Sequence, residues 1–270
     1  MAASARFSQP ADGVGLIVFE NPPRNFGTTE LALRIIDALQ AAAQAACRVV
    51  VLASDCPGYF IAHWSLQGII DGQRAFPPRT SHKPRQPTVF DLIETSSMVV
   101  IAANNGQAWG GGAELSWGCD LRIAAESATY GQPEVALGII PGAGGTTRLA
   151  RLIGPTRCME MILDGRPITA REALAMGAIN KVVPDERLRE EALAWASHIA
   201  RWPDWSLAAC KRSLIDGRDL PLEAARRQES QIFQSVARRD DAIAIMARAQ
   251  ARYDAGDDSY EALGLPRRPG

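Results

Sequence analysis

Two glycine-rich segments of this 270-residue chain each carry a glutamate, a combination suited to proton transfer beside a bound ligand. The first, residues 105–115, reads Asn-Gly-Gln-Ala-Trp-Gly-Gly-Gly-Ala-Glu-Leu. Its three consecutive glycines lie at a predicted strand-to-helix junction, where the missing Cβ atoms let a ligand approach the backbone. The helix start directs N–H groups and a positive dipole end toward that ligand, and Glu114 lies in the first turn. The alternative is a tight turn in which Glu114 only favours the helix dipole.

The second segment, residues 130–147, places Glu134 directly after Pro133. Four of the following positions are apolar: Val135, Leu137, Ile139 and Ile140. A carboxylate desolvated by such neighbours has a raised pKa, which suits it to proton transfer. The alternative is a surface glutamate beside a turn. The glycines at 142–145 are not followed by Lys-Ser or Lys-Thr, so a phosphate-binding Walker loop is not supported.

Apolar runs alternate with helical patterns along the first two hundred residues. Such runs are typical of strands buried on both faces by covering helices. Strands are predicted at 15–19, 49–53, 98–102, 121–124 and 181–184, and helices at 29–46, 90–97, 113–119 and 169–177. From Glu186 onward the pattern is helical. The sequence therefore predicts an α/β core over residues 1–200, a helical region over 201–270, and an exposed, mobile, proline-rich loop over 71–87.

The composition excludes several functional classes. Lys and Arg number 29 and Asp and Glu 30, a net charge of −1, so no basic field indicates a nucleic-acid partner. No run approaches the roughly 20 apolar residues of a membrane helix. The five cysteines contain no Cys-x-x-Cys pair and the three histidines are scattered, so no metal site or disulfide framework is expected. The first residues lack the apolar stretch of a signal peptide, and a cytoplasmic location is expected.

The combined motifs resemble the crotonase (enoyl-CoA hydratase/isomerase) superfamily. The matching stretches are Gly106–Leu115, Cys119–Ala124, Gly131–Glu134 and Leu137–Thr147, and the likeness continues to Pro184. The resemblance implies an α/β fold, a spiral of ββα turns that contains the active site, followed by a C-terminal helical region that trimerises. It further implies a homotrimer or a homohexamer built as a dimer of trimers.

The resemblance also implies a set of site residues. The backbone N–H groups of Ala62 and Gly111 correspond to an oxyanion hole, and Glu114 and Glu134 to the two glutamates of hydratases. Gly142 matches a position whose backbone helps to hold the reacting water. The implied activity is that of a lyase of lipid and fatty-acid metabolism, the reversible hydration of 2-enoyl-CoA to 3-hydroxyacyl-CoA. No cofactor is implied, because CoA enters as part of the substrate.

One loop departs from the family pattern. The usual Ala-Gly-Ala-Asp is Ala62-His63-Trp64-Ser65 in this chain. Trp64 either stacks on the CoA adenine or narrows the entry, and His63 is interpreted as a loop histidine next to the substrate. Two alternatives to hydration therefore stay open: another crotonase reaction, such as isomerisation or C–C cleavage of an acyl-CoA, or a catalytically impaired CoA-binding protein.

Three further residues are candidates for substrate contact. Arg248 is the basic residue that remains where family members carry a Phe-x-x-Lys-Arg element that touches CoA. Arg24, after Pro22-Pro23, is a second candidate for a phosphate by position and charge. Trp109, directly before the three glycines, either lines the acyl pocket or packs in the core.

Overall fold

The computed structural model describes residues 2–75 and 88–267. The chain divides into two compact units, residues 1–207 and 208–270, and the division falls within helix α9 (Asp204–Gly217). The first unit contains both sheets and the two glycine-rich segments, and the second is helical. Among the residues described, no helix is both long and apolar enough to cross a membrane.

The larger sheet forms the centre of the first unit. Its six strands lie in the order β1-β2-β3-β5-β7-β10, in which β1 and β2 are antiparallel and the remaining neighbours are parallel. Every residue of the central strands β3 and β5 is buried, as continuous runs of apolar residues require. The strands are β1 (Ser4–Ala11), β2 (Val14–Glu20), β3 (Val49–Ser54), β5 (Val99–Asn104), β7 (Leu121–Ala125) and β10 (Lys181–Val183).

A second, four-stranded sheet has the order β4-β6-β8-β9. The strands β4, β6 and β8 are parallel, and β9 is antiparallel to β8. Each of these three follows a strand of the larger sheet, so the chain passes from one sheet to the other and then into helical structure. This repetition confirms the predicted spiral. The strands are β4 (Gly58–Ile61), β6 (Gly106–Trp109), β8 (Thr129–Gly131) and β9 (Ile168–Thr169).

Side-chain caps begin several helices at residues that the sequence marks. The Thr28 hydroxyl accepts from Leu31 N at the start of α1, and Thr169 forms a capping box with Glu172 at α7. The helices of the first unit are α1 (Thr29–Gln44), α2 (Leu66–Ala75), α3 (Val89–Thr95), α4 (Gly111–Gly118), α5 (Arg148–Ile153), α6 (Pro155–Asp164), α7 (Ala170–Ala175) and α8 (Leu188–Ile199). The second unit contains α10 (Leu222–Ala237), α11 (Asp240–Asp254) and α12 (Ser259–Leu263).

Most of the predicted elements are confirmed, and the differences have a local cause. The sequence pattern missed β1, which is mostly polar or exposed and contains a proline. It also missed the strands of the smaller sheet, whose two to four residues carry too little periodicity. The predicted loop over 71–87 is wrong for residues 71–75, which complete α2. Its remainder, residues 76–87, lies outside the described residues.

Candidate active site

A cavity of about 1030 Å³ in the first unit collects the residues that the sequence singled out. Its wall is mostly apolar, and among the described residues its ionisable side chains are Glu114, Glu134 and His63. Of the predicted site residues, the cavity is lined by His63, Trp64, Trp109, Gly111, Glu114, Glu134 and Gly142. Tertiary folding therefore brings together the two glycine-rich segments and the 62–65 loop.

Helix α4 packs closely on the end of strand β4, so the segments that carry the two predicted backbone donors meet there. A Cβ on Gly112 would stand 2.1 Å from the carbonyl oxygen of Ile61, so only glycine permits this approach. Gly111 is the first residue of α4, and its N–H has no acceptor within that helix. Ala62 directly follows Ile61, is buried, and accepts at its carbonyl from Gln107 Nε2 at 3.0 Å. Of the two predicted donors, Gly111 lines the cavity, whereas Ala62 is buried at the end of β4 and does not line it.

Glu114 lies in the first turn of α4, and its side chain is held by the backbone of the facing loop. Its Oε1 accepts from Ala143 N at 2.6 Å and from Gly145 N at 2.8 Å. Burial raises the pKa of Glu114, while these two N–H groups and the nearby Arg148 guanidinium lower it. The net direction is upward, but the donors stabilise the ionised carboxylate.

Glu134 begins a one-turn 3-10 helix (Glu134–Leu137) and is buried against polar side chains. With the Gln132 amide nitrogen facing Glu134, Nε2 lies 3.2 Å from both carboxylate oxygens, and Gln132 Oε1 accepts from Trp117 Nε1 at 3.1 Å. Burial raises the pKa of Glu134 to about 7, and the negative charge of Glu114 adds to the rise. This carboxyl group is therefore partly protonated near neutral pH.

The expected cause of this raised pKa is only half correct. The apolar residues after Glu134 do not cover it, because Leu137 and Ile140 are exposed and form part of the cavity wall. The groups that the structure places against this carboxylate are instead the Gln132 side chain and the backbone directly before α4. A Cβ on Gly110 would lie 2.9 Å from Glu134 Oε1, which shows how closely that backbone approaches the carboxylate.

The unusual 62–65 loop is ordered by its contact with Gly27. Gly27 N donates to His63 O at 2.9 Å and Ser65 N donates to Gly27 O at 2.8 Å, so Trp64 is clamped on both sides. The His63 ring contacts Phe26, with centroids 4.6 Å apart, and its Nδ1 lies 2.8 Å from Trp64 O. The Ser65 hydroxyl accepts from Gly68 N at 3.2 Å, at the start of α2. Ser65 therefore caps a helix and does not line the cavity.

The remaining predicted contacts divide into two groups. Trp109 lines the cavity and donates from Nε1 to Thr129 Oγ1 at 3.2 Å, so its ring is fixed from behind. Gly142 also lines the cavity, and no atom would obstruct a Cβ on it within 4 Å. Among the described residues, neither Arg24 nor Arg248 lines this cavity, and Arg248 belongs to α11 of the second unit.

The structure adds four residues that sequence reasoning missed: Ala143, Gly145, Gln132 and Arg148. The first two act through backbone N–H groups, which no residue type reveals. Gln132 lies in the recognised Gly-Gln-Pro-Glu motif, so its position beside Glu134 was the one available signal. Arg148 Nη1 donates to Ala143 O at 2.9 Å, and its guanidinium pairs with Glu94. Within the described parts of the chain, no group of three metal-ligating side chains is assembled.

A wound pair of mainly parallel sheets, with two buried carboxylates facing one apolar cavity, is an architecture shared with solved enzymes. The sequence profile of the enoyl-CoA hydratase/isomerase family matches residues 9–251. The chain therefore belongs to the enoyl-CoA hydratase/isomerase family of enzymes, and the resemblance to crotonases is confirmed.

Individual relatives support this assignment. The 2,3-dehydroadipyl-CoA hydratase of Escherichia coli K12 is 34% identical over 81% of this chain and 84% of its own. The glyoxysomal fatty acid beta-oxidation multifunctional protein MFP-a of Brassica napus is 35% identical over 80% of this chain but only 30% of its own. The crystal structure of an enoyl-CoA hydratase from Bacillus anthracis superposes with a TM-score of 0.78 at 31% identity, covering 94% of this chain and 96% of that chain.

Proposed function

We propose that this protein catalyses the reversible hydration of 2-enoyl-CoA thioesters to 3-hydroxyacyl-CoA. The observation that carries the proposal is that Glu114 and Glu134 both line one apolar cavity, which Gly111 also lines. A single carboxylate suffices to move a proton between two carbons. Adding water across a double bond is best served by two groups, one for the proton that leaves water and one for the proton that carbon receives.

The thioester carbonyl oxygen binds between the N–H groups of Ala62 and Gly111. Negative charge develops on this oxygen as water adds to C3, because the intermediate is an enolate. Two rigid backbone donors at the start of a helix stabilise that charge without reorganising, and loss of one such donor typically costs about 10²–10³ in rate. The glycine at position 112 keeps the donors together.

The two glutamates divide the proton transfers according to their surroundings. Glu114, whose ionised form is stabilised by Ala143 N and Gly145 N, accepts a proton from the water as its oxygen bonds to C3. Glu134, with a pKa of about 7, carries the proton that is delivered to C2. The C2–C3 π bond is consumed, one C–O and one C–H bond form, and the pair retains one proton in total. Gly142 contributes its backbone to the water site.

Several further expectations belong to this proposal. The substrate brings CoA with it, and the two-glutamate chemistry calls for no metal or redox cofactor. Arg24 and Arg248 are proposed to contact CoA phosphates. A role in fatty-acid breakdown is supported by the name of the Brassica napus relative, and the cytoplasmic location expected from the sequence belongs to the same proposal. Assembly into a homotrimer or a dimer of trimers is supported by exposed apolar side chains of the second unit, such as Leu222 and Phe233.

The proposal predicts that Glu134→Gln and Glu114→Gln each lower kcat by 10³-fold or more on crotonyl-CoA while the fold is retained. Either amide removes a proton donor or acceptor but preserves the size of the side chain. The measurement is the loss of absorbance of the conjugated thioester, with circular dichroism to verify folding. Glu160→Gln, at an exposed position, is the matched control and keeps wild-type activity. Near-normal turnover by either cavity variant contradicts the assigned roles.

The 62–65 loop favours a second candidate, because Trp64 covers Gly111 where the family pattern has a small residue. Another crotonase reaction, isomerisation or C–C cleavage, or thioester binding without turnover would fit such a loop. Product analysis in the same assay separates these outcomes. Hydration yields the 3-hydroxyacyl-CoA, isomerisation yields a shifted double bond, cleavage yields a shorter thioester, and an impaired protein returns the substrate unchanged.

A further inference from the structure

The Trp64 indole is an immobile wall of the cavity, because it packs directly on two glycines. A Cβ on Gly27 would lie 2.3 Å from Trp64 Cε3, and one on Gly111 would lie 2.9 Å from the same atom. The hydrogen bonds from Gly27 N to His63 O and from Ser65 N to Gly27 O fix the backbone on both sides of Trp64. The ring therefore stands beside the helix start that would bind the carbonyl oxygen, and it has no room to rotate away.

Two more aromatic rings line the same cavity. The Phe90 ring lies 5.9 Å from the Trp64 ring, centroid to centroid, at an interplanar angle of 44°. Trp109 is anchored by its hydrogen bond to Thr129, and its ring packs on Gly131, where a Cβ would stand 3.1 Å from Trp109 Cδ1. Three aromatic side chains thus line the cavity that holds both carboxylates, beside aliphatic residues such as Leu66 and Ile139, and two of the three are indoles packed on glycine backbone.

We propose that Trp64 is a specificity-determining residue, and that the preferred substrates are enoyl thioesters with a flat aryl group on C3. This inference rests on the proposed hydration. Gly111 and Ala62 fix the carbonyl carbon, and Glu114 and Glu134 fix C2 and C3. The group on C3 then extends along the aromatic wall of the cavity.

Size and rigidity of the cavity favour an aryl group over the alternatives. A four-carbon acyl group ends at C4 and leaves the aromatic rings without a partner. A long alkyl chain reaches them but gives up rotational freedom when it is confined. An aryl group conjugated with the double bond is already flat, and aromatic pairs gain roughly 0.5–1.5 kcal/mol beyond burial of their area, an advantage of about tenfold at the upper end.

The test compares kcat/KM for cinnamoyl-CoA, 2-decenoyl-CoA and crotonyl-CoA in the wild type and in Trp64→Leu. We expect the wild type to prefer cinnamoyl-CoA by about tenfold over both others, and Trp64→Leu to lose that preference while it still hydrates crotonyl-CoA. Trp202→Leu removes a part-buried indole that contacts His198 and Arg201 outside the cavity, and it keeps the wild-type order. Trp64→Phe is the alternative variant in case Trp64→Leu does not fold. It keeps a smaller ring on the two glycines, and its preference for cinnamoyl-CoA is expected to be about two- to threefold lower than that of the wild type.

Binding of saturated analogues makes this result independent of turnover. Calorimetry is expected to show that the wild type binds 3-phenylpropanoyl-CoA about tenfold more tightly than butanoyl-CoA. Trp64→Leu is expected to bind the two thioesters equally. Hydration of all three enoyl thioesters at similar rates, or equal binding of the two analogues, overturns the inference and leaves the proposed function intact. Selective binding without turnover of any enoyl thioester supports the inference on Trp64 and overturns hydration.

Discussion

The two glutamates of the cavity occupy opposite kinds of surroundings, although both are buried. Glu114 faces the turn at 143–145, where Ala143 N and Gly145 N donate to one of its oxygens and Arg148 stands behind the turn. Glu134 has one side-chain amide donor, from Gln132, and is subject to desolvation and to the negative charge of Glu114. Donors to Glu114 thus stabilise its ionised form, whereas burial and the charge of Glu114 outweigh the donor to Glu134 and favour its protonated form.

This difference shows how one residue type obtains two electrostatic environments within one cavity. Burial raises both pKa values, so burial by itself does not make the two carboxyl groups differ. The difference comes from backbone donors and one cation on a single side of the cavity. In the proposed hydration the active form is the singly protonated pair, whose fraction declines above a pH of about 7 as Glu134 ionises.

The most damaging change to the Glu114 region, after loss of a glutamate itself, is Gly145→Ala. A Cβ at this position would lie 2.5 Å from Pro141 Cβ and 2.7 Å from the end of the Gln132 side-chain amide, so the turn that holds Glu114 must shift. We expect kcat to fall by about 10²-fold, comparable to the loss of one preorganised donor. The measurement is steady-state hydration of the preferred enoyl thioester.

Gly118→Ala is the matched control for that change, because nothing stands within 4 Å of a Cβ on Gly118 at the end of α4. It is expected to retain activity and melting temperature. Full activity in Gly145→Ala would show that the two N–H donors to Glu114 are dispensable, and the contrast between the two carboxylates would lose its basis.

Arg148→Met is expected to have a smaller effect and to change the pH profile. The guanidinium lowers the pKa of Glu114, so its removal raises that pKa further, and the acid limb of kcat/KM moves to higher pH. Turnover at neutral pH falls by about tenfold as the 143–145 turn loses its hydrogen bond from Arg148. The pH profile of kcat/KM between pH 5 and 9 is the measurement.

Two further variants test whether loss of the Arg148 charge is what moves the acid limb of kcat/KM. Glu94→Gln removes the ion pair but keeps the cation near Glu114, so its acid limb moves less than that of Arg148→Met. Arg151→Met, one turn further along α5 at an exposed position, leaves the profile unchanged. An acid limb that stays in place in Arg148→Met would exclude this arginine from the stabilisation of ionised Glu114.

The smallest predicted effect is on stability. Glu134→Gln, which lowers activity, is expected to raise the free energy of unfolding. Glu134 has a pKa of about 7 in the folded protein and 4.5 as a reference, so the folded state retains a proton that the unfolded state releases between these values. The free energy of unfolding therefore falls as pH rises through this window. Glu134→Gln has no such cost and is expected to be more stable at pH 8 by about 1–3 kcal/mol, a gain that vanishes toward pH 4.5.

Chemical denaturation of the wild type and Glu134→Gln at pH 5 and pH 8 measures this difference. Glu160→Gln serves again as the control, because its exposed side chain has no comparable burial. A stability difference that is the same at both pH values would mean that Glu134 ionises as freely in the folded protein as in the unfolded one.

Helix α1 and the buried strands of the larger sheet could be predicted because their patterns are local. The buried runs of β3 and β5 and the amphipathic pattern of α1 extend over six or more residues. The smaller sheet could not be predicted in this way, because a strand such as β9 has two residues and exists only through pairing with β8. The apolar residues after Glu134 were expected to bury its carboxylate. That expectation was wrong for a related reason, because a sequence pattern shows which residues are hydrophobic but not which groups they contact.

By itself the sequence determined the α/β class, the family and the identity of both glutamates, because glycine spacing and hydrophobic periodicity are written in residue types. Only the tertiary structure decided how the glutamates differ. The donors to Glu114 are backbone N–H groups 29 and 31 residues away along the chain, and Trp64 meets Gly27 and Gly111 from separate segments. Protonation and pocket shape depend on distances between such segments, which arise only when the chain is folded.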